Sequence, residues 1–382
     1  MTILTERMAL NPGGPTAVVK DTIDIAGYPT RAASRALAEA PPASAHAAVV
    51  EGLLAAGFEI CGKANLHELA FGTTGINHWT GTPANPRYPG RIPGGSSSGS
   101  AAAVAAGLAE VALGTDTGGS VRVPACCCGV FGFKPTFGRV SREGVMPARS
   151  SLDCVGPFAA DLTMLTRAMR AIDKSFGALP QVTDVSLGVV PVSAHPEILQ
   201  ALEQALASSG FVLGEAPLPG MEAAYKAGMV VINRETWQAC EGLLASDLVG
   251  DDVAGRLRAA GETSDAALAE AEAVRQAFTA EVDAALQCHP VLVLPTMPDY
   301  PLRLDEAADT RAVLGMTAFV RPFNLSGHPA LSIPLEGAAG LPVGLQLVAA
   351  KGDDELLFAV AQALTARLES PVSDHGVSHD IA

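Results

Sequence analysis

Between Gly94 and Pro124 the sequence reads GGSSSGSAAAVAAGLAEVALGTDTGGSVRVP, and no other stretch restricts the fold as tightly. Two Gly/Ser clusters, residues 94–100 and 114–120, are joined by an Ala-rich helical pattern over Ser100–Leu108 and a short apolar strand over Ala109–Gly114. Either cluster alone would read as a surface turn. Two of them, each abutting a strongly apolar segment, read instead as turns drawn into the core. Glycine-rich turns leave consecutive N–H groups able to converge on one point, and the helix starting at the first cluster directs the positive end of its dipole there.

The composition fits such a core. Hydrophobic residues make up 48% and aromatic residues only 5%, which suits helices and sheet packed with small aliphatic side chains. At 382 residues the chain has room for two average domains, so the layout of strands has to decide the number. A formal charge of −15, with no run of Lys or Arg, argues against a nucleic acid or an anionic membrane as partner. Met1–Leu10 is polar and charged, and no run of about 18 apolar residues follows. Neither a signal peptide nor a membrane span is expected, and the cytoplasm is the expected compartment. Seven cysteines, three of them consecutive at 126–128, lack the pattern of a secreted disulfide framework and the Cys/His spacing of a zinc site. They read as reduced, and the triplet as buried; no metal is expected.

Taken in order, Thr16–Val19 is a short buried strand ending at Lys20, one of only six lysines. Ala45–Phe58 is helical, Glu59–Gly62 a strand, and Asn65–Phe71 a short helix carrying His67, read as structural. Gly72–Pro93, rich in Gly, Pro, Asn and Thr, is a long irregular loop of the kind that carries function. Short strand and turn segments over 129–158 precede a helix from Asp161, whose side chain suits an N-cap. Beyond Asp173 the Gly/Ser motifs stop. A strand at Ser186–Val190 precedes helices over Pro196–Ser208, Gly220–Leu248 and Asp251–Leu286. Strands return at Val291–Pro295 and Leu341–Ala349, with a loop and strand over Asn324–Pro334 between them, before a last helix at Asp354–Leu368 and a loose tail after Ser370. Strands at both ends with helices between them predict one α/β domain, 1–382, with a large mixed sheet. Its core spans about 14–172, a helical insertion at about 195–287 walls the site, and 288–370 return to the sheet.

Serine hydrolysis needs a nucleophile, a base and oxyanion donors, and three arrangements compete for these residues. Gly95-Ser96-Ser97-Ser98-Gly99 satisfies Gly-x-Ser-x-Gly with Ser97 central, but RYPGRIP before it is no strand on which to mount a nucleophile elbow. A Ser-x-x-Lys site is excluded, because no serine stands three residues before a lysine. The third places the nucleophile at Ser120, the amides of Thr117–Ser120 as donors, and a lysine elsewhere as base. At this point GGSSSGSAAAVAAGLAEVALGTDTGGSVRVPACCCGVFGFKPT resembles the signature of the amidase signature family. AVVKDTIDIAGYPT, GKANLHELAFGTTG, FNLSGHPALSIP and GLPVGLQLV extend the resemblance across most of the chain.

That resemblance implies a single-domain α/β/α sandwich around a large twisted mixed β-sheet, and amide hydrolysis by a Ser-Ser-Lys triad with no cofactor. Carried over residue by residue, Ser120 in TDTGGSVR is the nucleophile, Ser96 the bridging serine after a cis Gly95–Ser96 peptide, and Lys20 in VVKD the base. The backbone N–H groups of Thr117, Gly118, Gly119 and Ser120 form the oxyanion hole. Lys20 must be neutral to accept a proton, so burial has to depress it from its ordinary pKa near 10.4. Asp116 is expected to hold amides of the loop and Arg122 to make an ion pair beneath it. The acyl pocket is expected between the Gly72–Pro93 loop and residues around Met316–Phe323, with Gly94, Gly95 and Phe319 as substrate contacts.

Two roles are compatible with these motifs. The first reading is an amidohydrolase for a small-molecule amide or ureido compound. The alternative is the glutaminase (A) subunit of a tRNA-dependent amidotransferase. Two departures accompany the match. Ser98 stands where the family carries glycine, which would strain the loop if a positive φ were required there. Only nineteen residues precede Lys20, so the N-terminal surface with which relatives cover the core or dimerise is expected to be absent or replaced. A homodimer is the assembly expected, with a small-molecule amide as substrate.

Overall fold

The computed structural model describes residues 3–369 apart from 184, 309 and 339; the tail after Ser370 lies outside the described residues. Runs of Val, Ile, Leu and Ala punctuated by Gly, Pro and Asn become strands. They are Leu4–Leu10 (β1), Thr16–Lys20 (β2), Glu59–Ala64 (β3), Val111–Asp116 (β4), Phe131–Lys134 (β5), Cys154–Ala159 (β6), Ser186–Val189 (β7), Val212–Glu215 (β8), Val291–Pro295 (β9), Ala330–Glu336 (β10) and Pro342–Ala349 (β11). All join one mixed sheet in the order β1-β3-β2-β4-β6-β5-β10-β11-β9-β7-β8. β2 runs parallel to both β3 and β4, while β6 is antiparallel to β4 and β5. β10 pairs antiparallel with β5 and β11, which brings the C-terminal strands beside the N-terminal ones.

The helices are Ala48–Ala55 (α1), Ser98–Ala105 (α2), Arg122–Cys128 (α3), Leu162–Ile172 (α4), Pro196–Ala207 (α5), Met221–Cys240 (α6), Asp251–Gly261 (α7), Asp265–Cys288 (α8), Thr310–Gly315 (α9), Arg321–Leu325 (α10) and Asp354–Glu369 (α11). Alternation along the strands sorts them onto two faces. Ala17 and Val19 of β2 and Val111 and Leu113 of β4 pack with apolar residues of α1, α4, α5 and α11 in the largest core cluster. Val18 and Ala112, pointing the other way, pack with Ala101, Ala103 and Val104 of α2 and with Ala125 and Cys128 of α3. Farther along that face, α6 and α8 cover β9, β10 and β11. The expected α/β/α sandwich is therefore the observed fold. No described helix is long and apolar enough to cross a membrane.

Several elements differ from expectation for identifiable reasons. β1 forms an edge strand from a polar segment, as an edge tolerates charged side chains that a central strand does not. The stretch 195–287 is not purely helical, since the largely exposed β8 lies within it and pairs with β7. The long helix expected over Asp251–Leu286 is two, because Ser264 accepts from Ala267 N–H at 3.1 Å and caps a new helix start. Asn65–Phe71 holds only a single 3₁₀ turn, broken by Leu69 at φ 53°.

Candidate active site

β2 carries its buried run Ala17-Val18-Val19 into Lys20, which is 0% exposed. Lys20 Nζ lies 2.7 Å from Ser96 Oγ and 2.8 Å from Thr115 Oγ1. Burial disfavours the ammonium and pushes the pKa down to about 7, against the opposing pull of the Asp153 and Asp116 charges. The neutral amine is thus populated at neutral pH. Gly95–Ser96 is a cis peptide. The turn it belongs to is held by the Ser96 carbonyl, which accepts from the His67 and Ser98 N–H groups, each at 2.9 Å.

β4 ends at Asp116, a fully buried carboxylate that organises the following loop. It accepts from the N–H groups of Gly119 at 2.8 Å, Val121 at 3.1 Å and Arg122 at 3.3 Å. Arg122 meets it with a two-pronged ion pair, Nε to Oδ2 at 3.0 Å and Nη2 to Oδ1 at 2.9 Å. The remaining donors of this buried guanidinium go to the Val320 carbonyl, Gln346 Oε1 and Asn324 Oδ1. Burial alone would raise the Asp116 carboxyl; the Arg122 charge and hydrogen bonds, with Asn324, overcome it and hold the group well below the usual carboxylate range. On the other side of the loop, Thr117 Oγ1 donates to Asp153 at 2.8 Å, and Asp153 is paired with Arg142 at 3.0 Å.

Ser120 emerges from this buttressed loop at 7% exposure. It borders a cavity of about 290 Å³ whose walls include Phe71, Thr73, Ile232, Asn233, Arg256 and Arg321. The Ser120 carbonyl accepts from Ser97 N–H at 3.4 Å, which ties the two Gly/Ser clusters together. Among the described residues no hydrogen bond joins Ser96 Oγ to Ser120 Oγ; proton relays of this kind commonly tighten only in the substrate complex. The N–H groups of Thr117, Gly118 and Ser120 donate to no described protein group. A neutral amine on a buried hydroxyl, a second serine at a cavity wall and uncommitted amides beside it are groups that acyl transfer requires.

The amidase family model matches residues 13–358. This chain belongs to the amidase signature family. The A subunit of glutamyl-tRNA(Gln) amidotransferase from Deinococcus radiodurans is 37% identical over 414 residues, covering 94% of this chain and 86% of its own. The Halobacterium salinarum protein of the same name is 34% identical, covering 92% and 95%. A solved amidase structure superposes at a TM-score of 0.82 with 32% identity, covering 92% of this chain and 84% of its own.

Of the residues that the family motifs single out, Lys20, Ser96 and the Thr117–Ser120 loop gather at one end of β2 and β4. Gly119 departs from the expectation for the oxyanion donors: its N–H is given to Asp116 Oδ1 at 2.8 Å. Phe319 is a second departure. Its side chain packs in the apolar cluster under α6 and α8, away from the cavity, and its carbonyl accepts from Gln346. Gly94 and Gly95 do not border the cavity either; they pack closely against Cys127 and Gly75. Ser98 opens α2 with no positive φ, so its replacement of glycine leaves the loop unstrained.

Other contributors to the site go beyond what the motifs identify. The Gly72–Pro93 loop and the segment around Met316–Phe323 supply Gly72, Thr73 and Arg321, but α6 and α7 supply a larger share of the cavity wall. Thr115 and Asn324 lie inside motifs already quoted, in GTDTGGS and FNLSG, and that was the available signal. Gln346 likewise lies inside the quoted GLPVGLQLV, whereas the α6–α7 wall carries no such signal, because helix packing alone brings it to the loop.

Proposed function

We propose that this chain hydrolyses a carboxamide through an acyl-enzyme on Ser120. Ser120 Oγ attacks the amide carbon as its proton passes to Ser96, whose own proton moves to neutral Lys20. The N–H groups of Thr117, Gly118 and Ser120 receive the developing oxyanion. Ser96 returns a proton to the leaving nitrogen, which departs as the C–N bond breaks. Water then attacks the ester by the same relay, releasing the acid and restoring Ser120. The observation that carries this reading is the buried Lys20 amine, 2.7 Å from Ser96 and with its pKa lowered to about 7. Replacing Ser120 with Ala should lower amide turnover by about 10⁴-fold or more, with an unchanged melting temperature; ammonia release at the wild-type rate would exclude Ser120 as nucleophile.

Two cytoplasmic roles fit this chemistry. The names of the sequence relatives favour glutamine as the amide, with ammonia delivered to partner subunits. That supports the amidotransferase role better than the small-molecule amidase. The cavity favours the latter, since its described walls hold two arginines and no Asp or Glu to receive the α-ammonium of glutamine. Ammonia release by the purified chain from glutamine and from a panel of simple amides separates the two. Activity on glutamine that depends on added partner subunits supports the first role, and unaided activity on other amides supports the second.

A further inference from the structure

Among the described residues two arginines are buried, Arg122 and Arg321, and their surroundings contrast. Arg122 is met by Asp116, Asn324, Gln346 and a backbone carbonyl. Arg321, 5% exposed, makes no ion pair with a described residue, and its Nε and Nη1 have no hydrogen-bond partner. A buried charge without a counter-ion is destabilising, and native structures seldom keep one without a use for it.

Other contacts hold the side chain in place. Its guanidinium stacks on Tyr225, with Cζ 4.6 Å from the ring centroid, and the Tyr225 hydroxyl is fixed by donating to the Leu314 carbonyl at 2.7 Å. Gly228 of α6 gives it room, as a Cβ there would come within 2.8 Å of Arg321 Cγ. Stacking fixes the plane of a guanidinium while leaving its in-plane N–H groups able to bond a ligand.

The position of these donors is informative. Arg321 borders the same cavity as Gly118 and Ser120, and a Cβ on Gly118 would lie 3.3 Å from Arg321 Nε. The second arginine in the wall, Arg256, is already engaged by Asp252 at 2.9 Å and by His67. Glu235 lines the adjoining cavity, where its carboxylate accepts from Ser150 and Ser151. Among the described residues, the cavity that holds Ser120 is therefore positively charged, with its one unmatched cation beside the loop of free amides.

We propose that Arg321 receives a carboxylate of the substrate, so that the amide cleaved here is a short anionic one, with its carboxylate a few bonds from the scissile carbonyl. The planar donor fork of arginine matches a carboxylate, and a neutral amide would leave it unpaired. The term amide rests on the Ser120 reading above; the carboxylate contact does not.

The experiment compares oxamate, malonamate and succinamate with propionamide and butyramide, using the wild-type chain, R321K and R321Q. The wild type should favour at least one anionic amide by about 100-fold in kcat/KM, and R321Q should lose about 100-fold more on that compound than on butyramide. R321K should fall between them, and residual butyramide turnover reports a folded enzyme. In parallel, calorimetric titration of S120A and of S120A/R321Q with the three anionic amides reads the contact without catalysis. Binding that requires Arg321, together with no turnover of any amide, would keep the carboxylate site and discard the hydrolase reading. Equal or better wild-type turnover of the neutral amides, no binding of any anionic amide by S120A, or binding indifferent to R321Q would overturn the inference.

Discussion

In the proposed relay, Lys20 couples the chemistry of the site to pH. With its pKa lowered to about 7 by burial, the base form gains population as pH rises, so kcat/KM should climb through a limb near pH 7 and then level. K20A should lose about 10²–10⁴-fold in kcat/KM, the usual contribution of a general base. Stability carries the same signature. The unfolded chain holds the lysine proton up to its ordinary value of 10.5 while the folded chain releases it near 7. Between those values the unfolded state binds more protons, and this group makes the protein more stable as pH rises. Urea unfolding of wild type and K20M across that range should show a steeper rise for the wild type. Asp116 tests a different balance. D116A leaves Arg122 buried without its carboxylate and should cost about 3–5 kcal/mol in urea unfolding, because an uncompensated internal charge is worse than no pair.

At the scale of single elements, α2 shows how small residues set geometry. It is buried over Ser98–Val104, and a Cβ on Gly99 would lie 2.4 Å from the Ile3 carbonyl oxygen and 2.5 Å from Asn65 N. G99A should therefore force backbone movement at β1 and β3 and cost about 1–3 kcal/mol, read as a lowered melting temperature. Such elements were legible in the sequence where one physical signal dominated. β2, β4, β9 and β11 follow from short apolar runs, and Asp161 caps α4 through Met164 N–H at 2.8 Å as its residue type suggests. α3 was not legible, since Pro124 and three consecutive cysteines give a weak helical pattern that only packing beneath β5, β10 and β11 stabilises. The site divides in the same way. Motifs pointed to Lys20, Ser96 and Ser120, whereas the engagement of Gly119 depends on where the Asp116 carboxylate lies, and the charge balance around Arg321 depends on which side chains fail to reach it.

Across the whole molecule, the residues proposed for chemistry lie in the first third of the chain, while α6, α7 and Arg321 bring later parts of it to the cavity wall. One guanidinium ties the Ser120 loop to the C-terminal part of the chain. Arg122 sits two residues after Ser120 and reaches Val320, Asn324 and Gln346, the last 224 positions further along the sequence. A chain truncated before Val320 should accordingly hydrolyse no amide even where it stays in solution, as an ammonia assay on such a fragment would reveal. This arrangement also bears on the order of events during synthesis. On the ribosome, Ser120 emerges long before the acceptors that steady its loop, so the role proposed for Ser120 implies a nascent chain that is chemically silent until its C-terminal strands have been made and docked.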